Sequence, residues 1–278
     1  MRIRVNGKTE SGNGLENMAD HEDEIYRLEH VPIFEALYGH GLISLGSYPA
    51  VDQMFTGVDL DHKHLLDIGS GIGGMAHYLA TTFEVRVTGL EVRAWMADYA
   101  AHATPEPAVG RVHFLTYDAQ GNIPLPSSCI DLAYSKGVLT NVADKRRLFQ
   151  EVVRVLQPGG EICLIDWLVP PEVGPKTERS AAGEWSHKET EASYSEILAS
   201  CGFQQIECQD VNREYLTYVK ELAEVLSAPE HIERYREVLS AERRRDLLAS
   251  NAKLMHAIEA GEQFSCRIRA ALEPRFVG

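Results

Sequence analysis

The sequence predicts an α/β fold built on a doubly wound parallel sheet, and two observations carry that expectation. The first is the stretch Leu65-Leu66-Asp67-Ile68-Gly69-Ser70-Gly71-Ile72-Gly73-Gly74. There an apolar run ends in a carboxylate and a glycine-rich turn, and Met75-Ala76-His77-Tyr78-Leu79-Ala80 then continues as a helix. The second is alternation. Apolar segments at 65–68, 85–90, 112–117, 129–134 and 161–168 read as strands, with helical patterns between them. Short connections between alternating elements imply parallel neighbours.

Residues 1–19 are polar, carry no apolar period and are expected to form a flexible tail. From Asp20 to about residue 59 the pattern is helical. An acidic first turn opens it, Pro32 separates a second short helix that ends at Gly39, and YPAVDQMF reads as another helix. The core occupies residues 60–278. Its clearest helix lies at 143–156, where Leu148, Val152, Val155 and Leu156 recur at helical spacing and Pro158-Gly159-Gly160 marks the stop. A helix at about 189–201 leads to an apolar/polar segment at 203–211. A charged helical insertion follows at about 212–262, and FSCRIRAAL alternates as a last strand.

Composition excludes several classes. The chain has 278 residues, 44% of them hydrophobic, enough for one large domain. A formal charge of −14 argues against a nucleic-acid surface, which needs clustered Lys and Arg. The five cysteines show no CxxC pairing and lie in or beside apolar runs, so buried free thiols and a reducing cytoplasm are expected. No signal-peptide pattern and no apolar run of spanning length is found, so no membrane partner is expected. No His/Cys cluster suggests a metal.

The ligand of the glycine turn is narrowed by two carboxylates. Glycines at 69, 71 and 73 let the backbone approach a ligand closely, and the following helix start offers N–H donors. Glu91 ends the second strand, about twenty residues on, where it can accept from ribose hydroxyls. Asp118 follows the third strand, where it can accept from an adenine amino group. A nicotinamide site usually shows GxGxxG and the turn here reads Gly69-Ser70-Gly71-Ile72-Gly73-Gly74, while a Walker lysine is absent, so a nucleoside triphosphate is not expected.

Asp67-Ile68-Gly69-Ser70-Gly71-Ile72-Gly73 resembles the D-x-G-x-G-x-G first motif of class I S-adenosylmethionine (SAM) methyltransferases. Glu91, Asp118, the segment Ile130-Asp131-Leu132-Ala133-Tyr134-Ser135 and Leu156-Gln157-Pro158-Gly159-Gly160 extend the likeness over about residues 60–210. The resemblance implies a Rossmann-like sheet of seven strands whose last strand is antiparallel. It implies SAM as cofactor, held by Ile43, Ser44, Asp67, Gly69, Ser70, Gly71, Gly73, Glu91, Val92, Asp118, Ala119, Ser135 and Lys136. In this mapping the loop N–H groups meet the methionine carboxylate and Glu91 fixes the ribose.

Phe34-Glu-Ala-Leu-Tyr38-Gly39-His-Gly-Leu42-Ile43-Ser44-Leu-Gly46 is similar to the N-terminal lid of small-amine N-methyltransferases of the phosphoethanolamine and sarcosine/dimethylglycine type. This implies that residues 20–59 form a helical lid and that Tyr26 closes over a reacting amine. The chain departs from the phosphoethanolamine enzymes where they hold an Asp and a His after the fourth strand: Gly137 and Asn141 stand there. An amide orients by hydrogen bonding and has no basic pKa near neutrality. Glu184 stands about where the family's phosphate-gripping arginine would lie, and it would repel a phosphate. Trp185 offers a cation–π face, and Tyr215 or Tyr218 could reach in from the insertion. His30 and His40 are the histidines to test as substitutes for the missing one. The expected partner is a small-molecule amine or amino acid that is not a phosphobase, methylated at nitrogen, with Tyr26, Asn141, Glu184 and Trp185 as catalytic candidates. Two alternatives stay open: cyclisation of SAM to azetidine-2-carboxylate with release of methylthioadenosine, and a SAM-binding module without catalysis.

Overall fold

The computed structural model describes residues 26–119, 121–179 and 185–274. The expected tail at 1–19, the start of the N-terminal helical segment and Glu184 lie outside them. The described chain begins with a 3₁₀ turn, Leu28–His30, where the sequence pattern suggests a helix. Pro32 in the first turn of α1 (Val31–Tyr38) provides a preset φ where no N–H partner is needed. α1 stops at Gly39, whose φ of +98° a side chain would strain. α2 (Ser47–Met54) buries Ala50, Val51 and Met54.

The core then alternates as expected: β1 (His64–Ile68), α3 (Gly74–Thr82), β2 (Arg86–Glu91), α4 (Ala94–His102), β3 (Val112–Thr116), β4 (Ile130–Lys136), α5 (Lys145–Val155) and β5 (Leu156–Leu168). Asp144 caps α5 by accepting from Arg147 N at 2.9 Å, and Leu148, Phe149, Val152 and Val155 form its buried face. The helix ends before Leu156. The Leu156-Gln157-Pro158-Gly159-Gly160 run opens β5 rather than lying between the two elements.

Beyond β5 the structure adds a hairpin that the sequence pattern did not show, β6 (Lys176–Arg179) with β7 (Trp185–Lys188). Strands of four residues without apolar alternation carry too little pattern to read. α6 (Glu191–Ser200) and β8 (Phe203–Asp210) follow, then the insertion α7 (Asn212–Ser227), α8 (Pro229–Arg234) and α9 (Ala241–Glu259), and finally β9 (Phe264–Leu272).

Among the described residues the main sheet has the order β3-β2-β1-β4-β5-β9-β8. β1 to β5 pair in parallel, and β9 runs antiparallel between β5 and β8. This is the Rossmann-like, seven-stranded arrangement with an antiparallel last strand. Successive β1 residues face opposite layers: Leu66 and Ile68 pack with Phe149 and Val152, while Leu65 packs with Met54, Ala76 and Leu79. Each such side chain contributes roughly 1.5–3 kcal/mol on burial. Chain order reverses between β1 and β4, so the crevice for a ligand opens at their carboxyl ends.

One cysteine expectation is corrected. β8 and β9 bring Cys208 and Cys266 together as a disulfide, with Cα atoms 6.2 Å apart. Cys163 is free and buried, whereas Cys129 and Cys201 are free and partly exposed. No helix among the described residues is long and apolar enough to cross a membrane.

Candidate active site

Because parallel strands deliver their carboxyl ends to one edge, Asp67, Glu91 and Lys136, at or next to the ends of β1, β2 and β4, meet there around one cavity of about 210 Å³. Gly41 to Ser44 cover its other side.

The glycine turn works differently from the sequence expectation. Gly69 N and Ser70 N both donate to Leu90 O, at 2.9 and 3.0 Å, and Gly73 N donates to Ser70 O. Gly71 N donates to Glu91 Oε2 at 3.0 Å. Gly74 N, the first of α3, donates to Gly41 O at 2.9 Å. These five N–H groups are therefore satisfied within the protein. A Cβ at Gly69, where φ is +80°, would stand 2.5 Å from Val138.

Glu91 is buried and accepts from Gly71 N and from Arg93 N at 3.0 Å, tying the turn to the end of β2. A carboxylate has about four acceptor positions, so lone pairs remain for hydroxyls. Asp67 is fully enclosed, and burial pushes its carboxyl up to about 7, opposed by the Tyr134 hydroxyl and reinforced by Glu91. Its Oδ2 is buried with no hydrogen-bond partner. Such an acceptor is costly to leave unmade, and the Tyr134 hydroxyl beside it is likewise buried without a hydrogen-bond partner of good geometry. Lys136 is also enclosed, and burial lowers its ammonium to about 7. It donates to Ser44 Oγ at 2.9 Å and to Leu45 O at 2.6 Å.

Gly137, Val138, Asn141 and Val142 also line the cavity. Asn141 sits on a 3₁₀ turn, Leu139–Asn141, which β5 holds in place: Asp166 Oδ1 accepts from Thr140 N at 2.9 Å and from the Thr140 hydroxyl.

Of the residues expected at the site, Tyr26, Ile43, Ser44, Asp67, Gly69, Ser70, Glu91, Val92, Ala119, Lys136 and Asn141 line the cavity. Tyr26 stacks under the Arg93 guanidinium, 4.5 Å from its ring, and so lies toward the Glu91 end. Gly71 and Gly73 shape the turn behind the wall. Asp118 is exposed, flanked by the lining residues Tyr117 and Ala119. Ser135 is a correction: its buried hydroxyl donates to Ile68 O at 2.7 Å and joins β4 to β1 instead of facing the cavity. Trp185 is another, being 42% exposed on β7 and absent from the cavity wall. Tyr215 packs on Trp167 and on Tyr218, its ring 5.9 Å beneath the Lys136 ammonium, and the Tyr218 hydroxyl donates to Gln53; neither lines the cavity. Lining residues that sequence reasoning missed include Arg93, Met96, Tyr117 and Gly74. Gly74 was legible as a second glycine at the helix start; the others carry no local signal.

Residues 66–164 match the family model described as a methyltransferase domain. A phosphoethanolamine N-methyltransferase of Triticum aestivum is 29% identical over 210 residues, which cover 72% of this chain and 40% of that protein. A glycine/sarcosine/dimethylglycine N-methyltransferase of Actinopolyspora halophila is 26% identical over 198 residues, covering 68% of this chain and 34% of its own length. The chain thus spans less than half the length of these curated relatives. Among solved structures, phosphoethanolamine N-methyltransferase 2 of Haemonchus contortus, in complex with phosphomonomethylethanolamine and S-adenosylhomocysteine, superposes with a TM-score of 0.77. It is 21% identical, and the match covers 93% of this chain and 61% of that one. Over residues 66–164 the chain matches a methyltransferase-domain model, and over about two thirds of its length it resembles the small-amine N-methyltransferases.

Proposed function

We propose that this methyltransferase-domain chain transfers a methyl group from SAM to the nitrogen of a small amine or amino acid that is not a phosphobase. The observation that carries the reading is that a buried carboxyl, Asp67, and a buried ammonium, Lys136, line one cavity. A zwitterionic amino-acid end fits that pair, its ammonium toward Asp67 and its carboxylate toward Lys136 and Ser44. Since the N–H groups of residues 69, 70, 71, 73 and 74 are already engaged, Lys136 and the Ser44 hydroxyl are donors that can meet that carboxylate. Glu91 suits a ribose, and Val92, Met96 and Ala119 suit the flat face of an adenine.

When bound, the sulfonium cofactor supplies an electrophilic methyl group. The protein's part is to align a nucleophile and exclude water. Residues 41–44 cover the cavity as a lid, and Asn141 supplies an amide that orients an amine without taking its proton. The curated relatives named above include a phosphoethanolamine enzyme, but here Gly137 brings no carboxylate to the wall. A second reading, closure of the cofactor to azetidine-2-carboxylate, is favoured by one observation. The acceptor wall, among the described residues, offers a second substrate neither carboxylate nor imidazole, whereas Asp67 lies where it can take a proton from the cofactor's own amine.

The test is to incubate the protein with SAM alone and then with a panel of small amines, reading the sulfur product by mass spectrometry. S-adenosylhomocysteine formed only with an amine is expected. Methylthioadenosine formed without any acceptor would overturn methyl transfer in favour of the cyclisation.

A further inference from the structure

The helical insertion places no residue on the cavity wall, yet it grips the segment that covers the cavity. α1 ends at Tyr38, so the carbonyls of its last turn lack partners within the helix. Glu35 O is taken by Gly39 N at 3.0 Å. Ala36 O lies 2.9 Å from His231 Nε2 on α8, 195 residues away. The other ring nitrogen, Nδ1, lies 3.0 Å from an Arg244 terminal nitrogen on α9. A guanidinium only donates, so Nδ1 accepts and the ring proton stands on Nε2, aimed at Ala36 O.

Arg244 is buried, bonded also to Leu226 O at 2.7 Å, and its second terminal nitrogen has no hydrogen-bond partner. Holding a guanidinium in the interior with an imidazole and a carbonyl in place of a carboxylate is costly. The arrangement therefore points to a task beyond packing. From α1 the bonds run on to the site: Glu35 Oε1 accepts from Gly41 N at 2.9 Å, and Gly41 O accepts from Gly74 N at 2.9 Å.

We infer that His231, oriented by Arg244, is a positioning residue that caps α1 and, through Glu35 and Gly41, holds Ile43 and Ser44 over the cofactor cleft. The insertion thereby controls how fast the cofactor leaves. The inference rests on the SAM-binding reading.

Stopped-flow dissociation of SAM tests it, with melting temperature measured alongside. His231→Phe keeps a ring and removes both nitrogens; it is expected to raise the dissociation rate about tenfold, the equivalent of roughly 1.4 kcal/mol. His231→Gln restores a donor for Ala36 O and an acceptor for Arg244, and is expected to return the rate close to that of the unaltered protein. Equal rates for the Phe variant and the unaltered protein would overturn the inference. So would equal impairment by Phe and Gln, because ring packing would then be the cause. Should the Phe variant not fold, Arg244→Met decides: a faster release supports the inference and an unchanged one overturns it. Absence of SAM binding in the unaltered protein would overturn both this inference and the cofactor reading, and that is visible before any variant is made.

Discussion

Gly74→Ala isolates the contact between the lid and the start of the cofactor-loop helix. A Cβ at Gly74 would stand 2.1 Å from Gly41 O and 2.5 Å from the Gly41 carbonyl carbon, against an ordinary contact of 3.4 Å or more. Both neighbours are backbone, so no rotamer change relieves the clash, and the Gly41 carbonyl must retreat by more than about 1 Å to regain normal van der Waals separation. That movement breaks the Gly74 N to Gly41 O bond of 2.9 Å. The bond is worth about 0.5–1.5 kcal/mol net, and Ile43 and Ser44 are carried off the cavity with it. Alanine's preference over glycine of up to about 1 kcal/mol belongs to helix interiors, and at the first residue of α3 it offsets little of this loss. The expected result is SAM affinity at least about tenfold weaker by calorimetry, with a lowered melting temperature. Unchanged SAM affinity in a folded variant would refute the claim that Gly41 seats on α3 when the cofactor is bound.

The remaining predictions concern the cavity wall. Glu91→Ala leaves Gly71 N and Arg93 N without their acceptor, at about 1–3 kcal/mol each, and should weaken SAM binding severely; calorimetry that finds normal affinity removes the ribose assignment. Asn141→Ala should abolish turnover while leaving SAM affinity intact, and normal turnover would take Asn141 out of the site. Lys136, lowered by burial from 10.5 to about 7, binds its proton less readily in the folded than in the unfolded chain. The ligand-free protein should therefore gain stability as pH rises from about 7 towards 10.5 and lose it as pH falls through that window. Lys136→Met should flatten this slope in a thermal-melt series. A carboxylate arriving at Lys136 should restore the ordinary value, so SAM binding near pH 8 should take up about one proton. Calorimetry in two buffers of different ionisation heat reads that uptake, and binding heats that are independent of buffer would exclude the assignment.

What the sequence determined by itself follows from short-range periodicity. β1, β2, β4 and β5 and the helices between them were readable because burial on both faces leaves apolar runs of strand length, the edge strand β3 keeps a short apolar run though half exposed, and α5 shows its stripe at 148, 152 and 155. Asp67 and Glu91 were identifiable for the same reason: a parallel sheet brings every strand's carboxyl end to one edge, so position along a strand already gives position in space. The hairpin β6–β7 escaped because four-residue strands without alternation carry no period. The exposure of Trp185 followed from that hairpin.

Only the tertiary structure decided how the cofactor turn is used. Its N–H groups at 69, 70, 71, 73 and 74 are taken by Leu90, Glu91, Ser70 and Gly41, and in the proposed reading the donor role passes to Lys136, which a bond between residues 92 apart in sequence joins to Ser44. The pairing of His231 with Ala36, 195 residues apart, is of the same kind. A glycine run shows that the backbone can come close, but which atoms fill the opened space depends on segments distant in the chain. Those segments meet only once both faces of the sheet are packed.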